Sequence, residues 1–282
     1  MLQVLILSLL QGAFELFPVS SLGHTVLVPA LLGWDTAQNS ASFLALIVML
    51  HLGTATALLL FFWRDWVAIV TAVVGSIVRR KMSDDPDERT GWLIVVGSIV
   101  PGILGLVFRH SVTGLLERAS VVAVFLILNG VLMLAGEHLR QARLRDGRDG
   151  VPLEELPLKT GFLIGAAQAL ALLPGFSRSG TSMVAGIRSS LDHVGAARFS
   201  FLLATPLIVA ASLISVKDLF APAALASPGM VGIGYVVSGV TAYLSLRFLM
   251  RYFQTERLDV FGYYCVGFGA LALMILGARG TL

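Results

Sequence analysis

Gln11-Gly12-Ala13-Phe14-Glu15-Leu16-Phe17-Pro18-Val19-Ser20-Ser21-Leu22-Gly23-His24 interrupts the first apolar stretch of the chain, and Pro174-Gly175-Phe176-Ser177-Arg178-Ser179-Gly180-Thr181-Ser182 interrupts another far downstream. Each is a proline break followed by small polar groups inside lipid-like sequence. A charged group at mid-bilayer costs roughly 2.5–3.5 kcal/mol. A carboxylate, an imidazole and a guanidinium gathered at two such breaks therefore mark a site. With the hydroxyls beside them, they are what a phosphorylated, membrane-embedded substrate requires.

The rest of the chain agrees with a membrane setting. Of 282 residues, 56% are hydrophobic and 13% charged, with a mean hydropathy of +0.86. Soluble domains carry about 25% charged residues, so this is the composition of a polytopic membrane protein. The net charge of +3 comes mostly from loop Arg and Lys and gives no reason to expect a nucleic-acid partner. The one cysteine, Cys265, excludes intrachain disulfides and a cysteine-based metal site. Met1-Leu2-Gln3-Val4 carries no basic region, and its apolar run meets no small-residue cleavage pattern, so the start reads as mature protein.

Six segments are long enough to span, at about 43–62, 91–108, 120–137, 199–216, 230–250 and 260–278. Arg79, Arg80, Lys81 and Arg89 fill one loop, Arg140, Arg143, Arg145, Arg148 and Lys159 the next long one, and Arg251 and Arg257 a third. The alternate loops hold only Arg109 and Arg118, then Lys217, with Arg279 in the tail. The basic set is expected on the cytoplasmic side. Two apolar stretches remain, 1–34 and 160–192, each broken into arms of about 15 residues, too short at ~1.5 Å per residue to cross a ~30 Å core. Broken backbone is tolerated at membrane depth only where protein or a wet cavity covers it, so both read as re-entrant helix hairpins.

The predicted fold is therefore all-α: six transmembrane helices plus two re-entrant hairpins in a single integral membrane domain. Pro18 is followed by Ser21 and Gly23 as Pro174 is by Ser177 and Gly180, and Ala41-Ser42-Phe43-Leu44-Ala45-Leu46 matches Phe199-Ser200-Phe201-Leu202-Leu203-Ala204. One hairpin and an odd number of spans per half give an inverted-topology repeat. Repeat 1 covers about 1–137, a cytoplasmic loop about 138–159, and repeat 2 about 160–282. The hairpin tips are expected to meet near the midplane.

The second break places a fixed cation, Arg178, among Ser177, Ser179, Thr181 and Ser182, directly before a helical run. A helix start offers free N–H groups and partial positive charge, both suited to phosphate oxygens, and Arg178 adds bidentate hydrogen bonding. The plainer alternative is a capped helix with Arg178 paired structurally to Glu15. The first break supplies the reactive groups. Gln11 and Glu15 share a helical face, Ser20 and Ser21 follow Pro18, and His24 is near enough in sequence for its imidazole to reach a serine hydroxyl. A serine beside a histidine with a carboxylate nearby is an activated-nucleophile arrangement.

These two motifs and the layout resemble the undecaprenyl-diphosphate phosphatases of the bacitracin-resistance type over essentially the whole chain. The resemblance implies hydrolysis of undecaprenyl diphosphate to undecaprenyl phosphate, which recycles the carrier lipid of bacterial cell-wall synthesis. It further implies a bacterial plasma-membrane location, an active site open to the outer face and a divalent cation, Mg2+ or Ca2+. Gln11 falls where many members have a second glutamate, Ser182 where threonine is usual, and His51 where glutamine is frequent.

On this reading Glu15, Ser21, His24 and Arg178 are catalytic, and Gln11, Ser20, Ser177, Ser179, Thr181 and Ser182 bind substrate. Glu15 holds the metal or acts as base, Ser21 or a water attacks the terminal phosphorus, and His24 moves the proton. The partners expected are a polyprenyl diphosphate lipid, the membrane and a second copy of the chain as a homodimer. A transporter or flippase of a lipid phosphate or small anion on the same scaffold is the alternative. Glu15 with Ser21 and His24 argues against it, since an anion carrier gains nothing from a carboxylate beside its phosphate clamp.

Elsewhere, Trp63-Arg64-Asp65-Trp66 reads as an interfacial anchor with a local ion pair. Glu137-His138 reads as a span end at the interface, and Asp192-His193 as a cap or a partner for Arg188 or Arg198. Residues 139–158 read as a solvated loop.

Overall fold

The computed structural model describes residues 1–34, 41–108, 118–146, 150–215, 228–255 and 257–281, so Arg109, Arg148 and Lys217 of the charge count lie outside it. Every extended element is helical. The first hairpin is α1 (Leu2–Phe14) and α2 (Ser21–Leu32). Then come α3 (Ala41–Phe61), α4 (Trp63–Arg79), α5 (Pro86–Val107) and α6 (Ala119–Arg145). The second hairpin is α7 (Leu158–Gln168) and α8 (Arg178–Arg188), followed by α9 (His193–Ile214), α10 (Pro228–Tyr252) and α11 (Asp259–Ala278).

Among the described residues five helices, α5, α6, α9, α10 and α11, are each long and apolar enough to cross a bilayer. The α3–α4 pair is apolar enough only when taken together, is bent by 80° at Phe62, and brings the number to six if it counts as one span. That bend departs from the expected loop after the first span. On α4, Trp63, Val67, Val70, Val74, Ile77 and Val78 are exposed, while Ile69 and Ser76 turn inward. The Trp63–Trp66 segment is thus the start of a helix. Asp65 pairs with Arg198 of α9 at 2.6 Å rather than with its neighbour, and Arg64 lies over the Trp63 ring. The loop placed at 139–158 is also shorter than expected, because α6 runs on to Arg145 and Leu153 and Leu156 are buried.

Local chemistry sets the helix starts. Asp85 accepts the N–H groups of Asp87 and Glu88 with Pro86 at the first helical position of α5, and Asp192 caps α9 through Gly195. Ser20 accepts from Gly23 N–H at α2, and Ser177 from Gly180 N–H at α8. The two hairpins therefore correspond cap to cap, Ser20 with Ser177, not Ser21 with Ser177 as the proline spacing suggests.

Packing passes between the halves: α1 rests on α10, α7 on α5, α3 along α10 and α11 along α6. Membrane helices gain most from close approach through small residues. A Cβ on Gly165 of α7 would collide with the Gly97 carbonyl of α5. One end of the bundle carries the charged contacts. Glu137, fully buried, takes His193 Nε2 at 2.7 Å, Leu258 N–H at 3.3 Å and Arg257 Nε at 3.4 Å. It is an internal junction of α6, α9 and the α10–α11 link, and α6 continues past it to Arg145.

Replacing Gly165 with Leu should force α7 off α5 and destabilise the protein by about 1–3 kcal/mol. A thermal melt of the detergent-purified variant checks this, and an unchanged midpoint would mean the helices do not cross there.

Candidate active site

The two breaks meet. Arg178 Nη2 donates to Glu15 Oε1 at 2.7 Å, closing an ion pair between the end of α1 and the start of α8. The other carboxylate oxygen, Oε2, accepts Ser21 Oγ–H at 2.5 Å and Gln11 Nε2–H at 2.9 Å, and His51 Nε2 of α3 stands 3.7 Å away. One carboxylate thus gathers groups from four helices, two of them from the first residues of α2 and α8. The carboxylate is 8% exposed and the guanidinium 18%, so neither charge is free in water. Charges so placed are held by mutual pairing and hydrogen bonds.

Two buried atoms of this cluster, Arg178 Nη1 and Gln11 Oε1, have no hydrogen-bond partner among the described residues. An unmet buried donor is costly unless a ligand takes it up. Arg178 therefore spends one arm on Glu15 and leaves the other without a partner among the described residues. Ser177 and Ser179 hydroxyls meet at 3.0 Å, and Ser179 Oγ–H also reaches the Phe17 carbonyl at 3.1 Å, tying the second tip to the first.

Not every expected group joins in. His24 Nδ1–H donates to the Ser20 carbonyl at 2.7 Å, and Nε2 accepts from the Tyr264 hydroxyl at 2.8 Å. The ring is stacked against Phe268 at 4.9 Å and packed on Phe14. Both nitrogens are engaged, so the expected His24–serine contact is replaced by a grip on the backbone that launches α2. Ser20 there adopts a positive φ of 66°, an uncommon conformation for a serine. Thr181 and Ser182 turn their hydroxyls onto the Arg178 carbonyl, and Ser182 also bonds Ser200 of α9 at 2.7 Å. Thr181 thereby closes on the first turn of its own helix, and Ser182 fastens α8 to α9.

Sequence reasoning missed Asn129 of α6, whose amide touches both breaks, and Tyr264 of α11. Asn129 was legible as the lone polar side chain between Ser120 and Glu137, whereas Tyr264 carries no local signal. His51, set apart in sequence by its position inside a span, proves to face Glu15.

Three or more His, Cys, Asp or Glu side chains do not cluster as a metal site anywhere among the described residues. One carboxylate and the free Gln11 Oε1 nevertheless match what a Mg2+-type ion asks of a protein when phosphate oxygens complete its shell.

Fold and site together define a helical integral-membrane protein with a charge-paired polar centre between two broken hairpins. The chain belongs to the family described as Bacitracin resistance protein BacA, which matches residues 4–271. It is 46% identical to the undecaprenyl-diphosphatase of Mycolicibacterium paratuberculosis (strain ATCC BAA-968 / K-10), over 98% of this chain and 97% of that protein. It is likewise 46% identical to the undecaprenyl-diphosphatase of Acidiphilium cryptum (strain JF-5), over 95% of each. With undecaprenyl-diphosphatase 2 of Chromobacterium violaceum it shares 43% identity over 97% of this chain and 98% of the relative.

Glu15→Leu should destabilise the protein by about 3–5 kcal/mol by leaving the guanidinium buried and unpaired. The double change Glu15→Leu with Arg178→Met should recover most of that loss in denaturation of the detergent-solubilised protein. Equal stability of the single and double variants would show that the pair is not energetically coupled.

Proposed function

We propose that this chain hydrolyses undecaprenyl diphosphate to undecaprenyl phosphate and inorganic phosphate, the reaction that returns the carrier lipid to cell-wall synthesis. It is a multi-pass membrane enzyme acting on a polyprenyl diphosphate lipid. The observation that carries the assignment of the reaction to this site is the Glu15 cluster. A carboxylate there accepts a hydrogen bond from a serine hydroxyl and holds one arm of an arginine whose other arm has no partner among the described residues. A carrier of the same anion has no use for the first of these.

In the mechanism we infer, Arg178 Nη1 and the N–H groups at the start of α8 bind the diphosphate and meet charge on the phosphoryl oxygens. Ser21 Oγ attacks the terminal phosphorus while its proton passes to Glu15 Oε2. The bond from that phosphorus to the bridging oxygen breaks, and undecaprenyl phosphate leaves. Water then attacks the phosphoserine, the proton on Glu15 returns to Ser21 and inorganic phosphate departs. The 2.5 Å Ser21–Glu15 bond supports Glu15 over His24 as the base. His24 acts through Ser20, holding the turn that aims Ser21. Ser177 and Ser179 keep the second tip in place.

A divalent cation would be held by Glu15 and Gln11 Oε1 beside the substrate, where it would neutralise phosphate charge. The site opens to the outer side. Arg89 bonded to Glu154, Arg143 bonded to the Ile187 carbonyl, and Arg257 on Glu137 support one strongly basic, cytoplasmic end. The exchanged packing of α1 on α10 and α7 on α5 supports an inverted repeat with halves near 1–137 and 160–282. Within it Glu15 lies three residues after Gly12, which meets α10, and Gln168 three after Gly165, so the carboxylate has a neutral counterpart in the second half. A second copy of the chain, as a homodimer, is the further partner in this reading.

Phosphate release from a C55 or shorter prenyl diphosphate in detergent tests the reaction; no release with any divalent ion would overturn it. Arg178→Ala should lower kcat by about 10²–10³-fold, far more than Ser20→Ala or Ser182→Ala. Gln11→Glu should lower the Mg2+ or Ca2+ concentration giving half-maximal rate. An unchanged metal dependence would remove Gln11 from the cation's surroundings.

A further inference from the structure

Asn129 sits inside α6 and is fully buried, the one polar side chain between Ser120 and Glu137. An amide in such a place costs roughly 2–7 kcal/mol unless its hydrogen bonds are made. Both ends are used, and on different hairpins. Oδ1 accepts the Ser177 N–H at 3.0 Å, and Nδ2 donates to the Pro18 carbonyl at 3.2 Å. Pro18 closes the turn that follows Glu15, and Ser177 is the residue before Arg178 and the cap of α8. One planar amide on a rigid helix therefore fixes the separation of the two backbones that carry the carboxylate and the guanidinium.

Among the described residues none of Glu15, Ser21 and Arg178 hydrogen-bonds this side chain. Its surroundings are the two backbones and Cys265 Sγ at 3.5 Å, the only titratable side chain with which it has a recorded contact among the described residues. The close fit extends to Gly180, where a Cβ would stand 3.2 Å from Oδ1 and 3.3 Å from the Pro18 carbonyl. The ion pair alone cannot set this geometry, because an arginine side chain is long and has many rotamers. Two hydrogen bonds to main-chain groups can.

We propose that Asn129 is a positioning residue for hydrolysis, setting the register of the two hairpin tips so that Arg178 and Glu15 address one diphosphate. The proposal rests on the hydrolase reading above. Asn129→Leu keeps the shape and removes both bonds. Asn129→Asp keeps both while its carboxyl is neutral, and on ionising loses the donor to the Pro18 carbonyl.

Phosphate release should be measured for the parent chain and both variants, per mole of folded, monodisperse protein across a range of pH. Asn129→Leu should lose about 10²-fold in kcat, the scale of a small misplacement of reacting groups, with KM changed far less. Asn129→Asp should work at low pH and fail as pH rises, more steeply than the parent. A kcat for Asn129→Leu equal to the parent's overturns the proposal. If that variant does not fold, an Asn129→Asp profile parallel to the parent's overturns it instead. A parent chain that releases no phosphate removes the hydrolase reading itself, and this proposal with it.

Discussion

A helix broken within hydrocarbon exposes N–H and carbonyl groups that lipid cannot satisfy. Here the two breaks are satisfied partly by each other and partly by Asn129 of α6. The Phe17 carbonyl takes Ser179 Oγ–H, the Pro18 carbonyl takes Asn129 Nδ2–H, and the Ser177 N–H goes to Asn129 Oδ1. Each hairpin caps its own second arm with a serine, leaving the remaining main-chain demand to be met across the junction. These contacts bring distant parts of the chain into one pocket.

The same constraint gathers charge. Arg178 and Glu15 each need a partner, and the junction supplies it. The pair is not closed, since one guanidinium nitrogen is left over, and the carboxylate also takes Ser21, Gln11 and the approach of His51. The structural alternative raised from sequence, an arginine merely paired to Glu15, is thus half of what is found. Pairing holds the resting site together, and the remaining donor is the feature that suits an anion. A different economy governs the basic end, where Glu137 is surrounded by His193, Arg257 and a backbone N–H with none to spare. That junction locks helices.

Much of this was legible beforehand. The apolar runs located α3, α5, α6, α9, α10 and α11, and the prolines at 18 and 174 located the breaks, because apolar length and a missing N–H are properties of local sequence. Convergence of the tips was also expected, from polar groups that lipid would not tolerate. The α4 helix was not, since its charges at 64, 65 and 79 look like a loop until the bend at Phe62 lays its apolar residues outward. His24 misled for a related reason. Its place three or four residues after the serines is right for contact, but the positive φ of Ser20 and an aromatic wall from α11 turn it away.

By itself, then, the sequence determined that the chain lives in a membrane, that it is helical, where its helices break and which reactive groups stand at those breaks. These follow from composition and from the chemistry of single residues. Only the tertiary structure decided which of those groups touch: that Ser21 rather than His24 reaches Glu15, that His51 comes in from another helix, and that Asn129 joins the two tips. Contacts between hairpins depend on the crossing of helices far apart in the chain and on the positive φ of Ser20 at the first break and Gly175 at the second, and neither is written in any local run of residues.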